Sequence, residues 1–449
     1  MKKIIFSLLY FLITSVTSAQ MAIGEWQAHL AYNNVTQTAP AGNLIYAVSD
    51  GALFSYNTED QSISLFNKVN LLSDTGISYI KYSSIHNTLI IVYKNSNIDL
   101  LTNESIYNIP DFMNKTMSQD KTLNSINIVG DYAYFSTNFG ILILNLKKKE
   151  ISNTYVLNKK VYSSVVKDNV IYAATADGLY SGKLSDNLLD ANNWVLSNAI
   201  AFNQLAIFEN KIIGNQPNNG IYSFDNNSQE LTNIISGNFS YMEVFDNKLI
   251  AGNGNSIAIF DHYNSIKYMD LDDNFNHLSY TKSNDLYWGS NGDKGLNGYK
   301  LNNNKLEKTV SSIIPESPKR NLPYYMTFTN NRLLICGGGM DYDRLNNPGT
   351  IMMMENNKWY NFQEEGIKEV TGLDYKDITS VIQDPNNPEH HFASSGGEGV
   401  YEFMNRKFVK LYSINNSTLQ TIFPKESYKF NYVRTNGLQY DKNHNLWVL

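Results

Sequence analysis

A strand–turn–strand unit recurs along most of this 449-residue chain, its turns hold Gly, Asn or Asp, and its strands alternate between two faces. These three observations predict an all-β fold: a seven-bladed β-propeller followed by the first blades of a second, truncated β-propeller. The first copy is the plainest. Asn43-Leu44-Ile45-Tyr46-Ala47-Val48 reads as a strand, Ser49-Asp50-Gly51 as a turn, and Ala52-Leu53-Phe54-Ser55-Tyr56 as a second strand. Asp-Gly and Asn-Gly allow the positive φ angles that a tight hairpin requires. Leu53 and Ser55 alternate with Phe54 and Tyr56, which gives the strand two faces, as stacked sheets demand.

The unit returns at Thr88 with Ile98, at Asp131 with Ile141, and at Asn169 with Gly178, and further copies open at Asn210, Asn247 and Asn284. With Tyr46, Ile91, Tyr134, Tyr172, Ile213, Ile250 and Tyr287 as anchors, the intervals are 45, 43, 38, 41, 37 and 37 residues. That is the length of a four-stranded blade. Seven anchors place the first propeller in residues 20–312. The Trp26 segment is expected to add an outer strand that closes the ring against the seventh blade. Asn192-Asn193-Trp194, after a helix-like insert, is expected to begin another outer strand. Residues 313–323, with Pro315, Pro318, Pro323, Lys319 and Arg320, read as a linker. Beyond it the anchors Leu334, Phe392 and Trp447 are 58 and 55 residues apart, with longer loops such as Met340 to Pro348. Residues 324–449 are therefore expected to be a partial second propeller, truncated in the apolar run that ends at Leu449.

The first nineteen residues read as a signal peptide. Lys2 and Lys3 precede an apolar run from Ile4 to Val16, and Thr17-Ser18-Ala19 offers small side chains for cleavage before Gln20. A retained anchor is the competing reading, and the small residues at the cleavage site argue against it. No run is long enough to predict a transmembrane segment in this fragment, and no cysteine follows the apolar run to take a lipid. The expected location is exported. The lone Cys336 makes no internal disulfide and reads as a small apolar residue in a strand, with a reactive thiol as the alternative. A net charge of −6 with 17% charged residues argues against a nucleic-acid partner. Lys147-Lys148-Lys149, answered by Glu150, reads as a solvated turn. Only five of the 36 basic residues are Arg, and Asn is abundant, which together with the signal points to a bacterium.

Residues with chemical potential are few. Glu389-His390-His391 holds metal-ligating groups, but adjacent histidines in a strand point to opposite faces and no third ligand is apparent. Gly337-Gly338-Gly339 lacks the following helix that a phosphate cradle needs and reads as a bulge and loop. Gly396-Gly397-Glu398-Gly399 reads as a hairpin turn. Asp272-Asp273 and Glu364-Glu365 lie in polar stretches, and nothing places two carboxylates across a cleft as a glycosidase needs. No catalytic, cofactor-binding or metal-binding residue is assigned, no cofactor is expected, and the protein is read as not an enzyme.

A family resemblance adds to this. Asp377-Ile378-Thr379-Ser380-Val381, Leu72-Ser73-Asp74-Thr75-Gly76-Ile77 and Asn436-Gly437-Leu438-Gln439-Tyr440-Asp441 resemble two-component regulator propeller repeats of Bacteroidetes. Gly24-Glu25-Trp26-Gln27-Ala28-His29-Leu30-Ala31-Tyr32, followed by Ala47-Val48-Ser49-Asp50-Gly51, resembles the start of the PorZ family of the type IX secretion system. The resemblance implies two seven-bladed propellers and a C-terminal β-sandwich sorting domain, of which this chain covers about the first three-fifths. It implies an outer-membrane-associated cell-surface role in the attachment complex with PorU, PorV and PorQ-like proteins. There the family is understood to bind anionic lipopolysaccharide and present it to the PorU sortase. An alternative from another class is the extracytoplasmic sensory propeller region of a hybrid two-component histidine kinase. A propeller polysaccharide lyase or hydrolase is a third, which no residue supports.

Overall fold

The computed structural model describes residues 24–103, 105–225, 228, 230–423 and 432–449. The predicted signal peptide lies outside the described residues. Among them the structure is all-β and propeller-like, built from many four-stranded antiparallel sheets. Helix is confined to Asp111–Asn114, Ile367–Thr371 and the 3-10 turn Ala191–Asn193.

Up to Ile313 the strands form seven sheets, covering residues 35–66, 77–109, 123–156, 161–198, 204–236, 241–275 and 277–313. Each is a meander of consecutive strands. In the sixth, the strand Lys248–His262 bends back at Gly254, whose φ is +58°. The Lys248 ammonium thereby meets the Asp261 carboxylate, so this one strand supplies two passes. Every anchor residue falls on the second strand of its sheet, from Leu44–Ser49 to Leu286–Ser290. The abundant Asn has a local cause. Asp168-Asn169, Glu209-Asn210, Asp246-Asn247 and Asn330-Asn331 all have two successive positive φ values, between the first and second strands of their sheets. A two-residue hairpin of matching twist needs that geometry, and Asn tolerates it better than most residues.

Each hydrophobic core lies between neighbouring sheets. Ile90, Val92 and Leu100 of the second pack with Ile126, Phe135 and Leu142 of the third, all nearly fully buried. The first strand of each sheet neighbours the first strand of the next, and His277–Thr281 of the seventh returns to Val35–Ala41 of the first. At that seam Val35 and Gly292 exchange backbone hydrogen bonds of 2.9 and 3.0 Å.

The expectation for Trp26 is corrected. Residues 25–34 form no strand, and Trp26 is 84% exposed. The seventh sheet takes all four strands from its own repeat, with Lys305–Ile313 outermost, so no place is left for a borrowed strand. The segment joins two units instead. Ala31 N–H donates to Asn321 Oδ1 at 2.8 Å, and the Asn33 amide donates to the Pro318 carbonyl at 2.7 Å. From the other side the Arg320 guanidinium forks onto Glu364 at 2.6 and 2.7 Å, and Trp359 N–H donates to Glu316. The stretch read as a linker is thus held by hydrogen bonds on both sides, with Ser317 buried. Asn192-Asn193-Trp194 does lead into an outer strand, Val195–Asn198.

Beyond residue 323 lie sheets covering residues 325–361 and 378–412, then a two-stranded sheet of Leu438–Tyr440 and Leu446–Val448. The first strand of the ring, Val35–Ala41, is largely buried. Its counterpart Tyr325–Thr329 is not: Met326 is 64% and Phe328 69% exposed.

Candidate functional site

The inner strands of all seven sheets line a cavity of about 780 Å³ along the ring axis. Its wall is part polar and part apolar; the inner strands turn amides and hydroxyls toward the axis, and several of these bond across to the next sheet. Gln37 exchanges two bonds with Ile80 of the second sheet, at 3.2 and 3.0 Å. The Tyr79 hydroxyl reaches the Ile126 backbone. Asn124 and Asn127 donate to Val161 and Ser164 carbonyls at 2.8 and 3.0 Å. Ser163 accepts from Leu205 N–H at 3.1 Å, Gln204 donates to Ser240, and Asn276 to Val35. Each such bond contributes about 1 kcal/mol net, and the larger cost is leaving one unmade. These amides serve the ring before they can serve a ligand.

The same wall holds one charged cluster. The Lys81 ammonium from the second sheet contacts Glu243 Oε1 from the sixth, across the channel. Glu243 Oε2 lies 3.0 Å from His277 Nε2 of the seventh, and His277 Nδ1 lies 3.2 Å from Thr38 Oγ1 of the first. Burial pulls the Lys81 ammonium down to about 8. Burial, helped by the Lys81 charge, pulls the His277 imidazole down to about 3. Both shifts follow from taking a cation out of water. Four sheets therefore meet through one hydrogen-bonded chain of side chains.

The motifs weighed in the sequence fall elsewhere. His390 and His391 point to opposite faces of Asn387–Ser395, as strand geometry requires. His390 is held between Asp384 at 3.1 Å and Glu402 at 2.8 Å. His391 is fully buried edge-on against Phe362, and burial draws it down to about 4. Glu389 pairs with Arg332 at 2.8 Å. Among the described residues, no group of three or more His, Cys, Asp or Glu is placed to hold a metal ion.

Gly338 lies against the next sheet, where a Cβ would stand 2.3 Å from the backbone N and O of Ile378. Close backbone approach accounts for the glycine there. Residues 396–399 form the hairpin between Asn387–Ser395 and Val400–Met404. Asp273 is answered by Lys294 and Lys308 at 3.1 and 2.7 Å, and Glu365 by Lys319 at 3.8 Å. Lys148 meets Glu150 at 3.7 Å in its turn. Cys336 is buried, which pushes its thiol up to about 12 and makes it inert.

Lys81, Glu243 and His277 were missed by sequence reading. Each is an isolated residue, and 162 positions separate the charged pair. The available signal was their register: Glu243 pairs across the strand with the anchor Ile250, and Lys81 with Ile90 beside the anchor Ile91.

Meandering sheets set around an axial cavity define a propeller-like protein in which several side chains of the channel wall bridge neighbouring sheets. Comparison with known proteins then gives a match over part of the chain. Residues 45–195 match the family model described as the PorZ N-terminal β-propeller domain of the type IX secretion system, and over that stretch the chain is PorZ-like. Among solved structures, that of PorZ, a bacterial surface component of the type IX secretion system of Porphyromonas gingivalis, superposes with a TM-score of 0.86 at 24% identity. The alignment covers 95% of this chain and 57% of that one, so this chain spans less than two thirds of the PorZ structure's length. The extracellular domain of a putative hybrid two-component system from B. thetaiotaomicron aligns over 96% of this chain and 63% of its own, at 14% identity and a TM-score of 0.47. No curated protein matches.

Proposed function

We propose that this chain is a non-enzymatic cell-surface component of the type IX secretion attachment complex, which binds anionic lipopolysaccharide and presents it to a PorU-type sortase. The match of residues 45–195 to the PorZ N-terminal domain carries the reading. In this reading the protein is exported after removal of residues 1–19 and works at the outer membrane beside PorV- and PorQ-like partners. No helix of the described residues is long and apolar enough to cross a membrane.

The domain arrangement in this reading is a seven-bladed propeller in residues 20–312, a linker in 313–323, and the first blades of a second propeller in 324–449. Burial supports it. The inner strand of the first sheet is covered by the seventh, whereas Met326 and Phe328 on the corresponding strand stand open, as a blade awaiting its neighbour would.

Lipopolysaccharide binding is testable on the full-length protein. It should retain phosphorylated lipopolysaccharide from detergent-solubilised outer membranes, and retention should fall as salt rises. Retention of neutral and anionic forms alike, or of neither, would contradict the proposed ligand.

A further inference from the structure

The first strands of the ring begin at one end of its axis. Asn124 bonds to Val161, Ser163 to Leu205, Gln204 to Ser240 and Asn276 to Val35, each linking the start of one strand to the start of the next. At that end the cavity is lined by Thr36, Ser78, Asn124, Tyr162, Asn203 and Asn276. Each stands at or just before the start of a first strand, on six different sheets, and none is charged. We propose that this mouth binds a neutral sugar unit of a glycan through hydrogen bonds to its hydroxyls. The inference goes beyond the lipopolysaccharide reading and needs neither a phosphate nor a sortase.

Four of the six owe their aim to a β-bulge. Thr36, Ser78, Asn124 and Tyr162 are each the second residue of their strand, and each is the extra residue that opposes none on the neighbouring strand. A bulge breaks the alternation of faces and re-aims one side chain. In the sheet of residues 378–412 the matching bulge residue is Thr379, which is buried and donates to the Thr435 carbonyl at 2.6 Å. In the ring the four are half-buried or exposed, and they keep bonding capacity. The Tyr162 hydroxyl bonds to no protein group among the described residues. Asn124 and Asn276 donate to the Val161 and Val35 carbonyls, and each keeps its Oδ1 as an acceptor. Thr36 and Ser78 donate to the Val48 and Val92 carbonyls at 3.4 and 3.0 Å, which leaves both oxygens able to accept.

The wall selects the chemistry of the ligand. Lys81 is the one Lys or Arg lining the cavity, and Glu243 answers it, so no cation is left over for a phosphate or carboxylate. Further along the strands Ile128, Val166, Ile207 and Val244 line the cavity, half-buried. A sugar carries hydroxyls that both donate and accept, set around a ring whose C–H faces are apolar. Acceptors and a phenol at the mouth, with aliphatic surface beyond them, match that combination. The volume of about 780 Å³ lies within the usual range of small-molecule pockets.

Saturation-transfer NMR on the full-length protein tests this, with the methyl glycosides of glucose, galactose and mannose as probes. At least one should bind with a Kd on the order of 1 mM, too weak to survive washing in a retention assay. Glucose 6-phosphate should bind no more tightly than the neutral probes. Tyr162→Phe keeps the ring, removes a hydroxyl that no protein group uses, and should weaken binding about 5-fold. Ser78→Trp, at an exposed position, should fill the mouth and abolish binding. Both variants should melt at the wild-type temperature. No binding by any of the three glycosides, tighter binding of the phosphate ester, or an affinity unaltered in both variants would overturn the sugar site.

Discussion

Trp288→Ala is expected to destabilise the first ring by about 3–5 kcal/mol, the usual cost of removing a buried large aromatic. Trp288 is fully buried in the second strand of the seventh sheet. Its ring packs 5.8 Å from that of Tyr56 in the first sheet, and its Nε1–H donates to Thr281 Oγ1 at 3.2 Å. The loss thus falls on the seam, where no connecting chain compensates. Gly298 shows how closely the indole is fitted, since a Cβ there would meet it at 3.1 Å. At roughly 2–4 °C per kcal/mol for a domain of this size, the melting temperature should drop by about 6–20 °C. Trp288→Phe, which keeps an aromatic ring but loses the N–H bond, should cost much less. Equal and small effects of both variants would mean that the seam is not held by this contact.

Arg344→Ala should have an effect of similar size confined to residues beyond 323. The guanidinium donates to both Glu398 oxygens, at 2.8 and 2.5 Å, and its Nε lies 3.6 Å from Asp377. Glu398 is 3% and Asp377 1% exposed; Asp377 also accepts from the backbone N–H groups of Asn346 and Asn347, so the loss of Arg344 falls chiefly on the buried Glu398. Burial pushes the Glu398 carboxyl upward while Arg344 pulls it down. Breaking a buried pair by removing one partner costs about 3–5 kcal/mol, far more than deleting a surface pair. Hydrogen exchange should therefore accelerate in Ile378–Asp384 and Asn387–Ser395 and stay unchanged in the first seven sheets. Acceleration throughout the chain would show that the two units unfold as one.

The repeat was legible because each anchor strand carries apolar residues on both faces, bounded by turns that only Asn, Asp or Gly fill easily. Tyr46, Tyr134 and Tyr172 stand at the same place in their sheets because the same packing problem recurs between each pair of sheets. Trp26 misled because one aromatic residue does not say which strand it will meet, and the seventh repeat already had four strands. The Asn content was legible as a count but not as a cause. The structure divides it between hairpins with paired positive φ and amides such as Asn124 and Asn127 that reach the next sheet. The five arginines, all beyond residue 319, gave no hint that Arg320 and Arg344 each fork onto a glutamate, or that Arg332 bridges Glu355 and Glu389. Lys81 and Glu243 were invisible because ring closure, not sequence proximity, brings them together.

Deletion of the full-length gene, with surface attachment of cargo and transcription of a polysaccharide-utilisation locus scored in the same strain, tests the functional reading most directly. The PorZ-like reading predicts that cargo still crosses the outer membrane but is no longer joined covalently to lipopolysaccharide, so it is released or held unmodified, with the transcript unchanged. Normal attachment in the deletion strain would contradict that reading, and normal attachment with an altered transcript would favour the sensor instead.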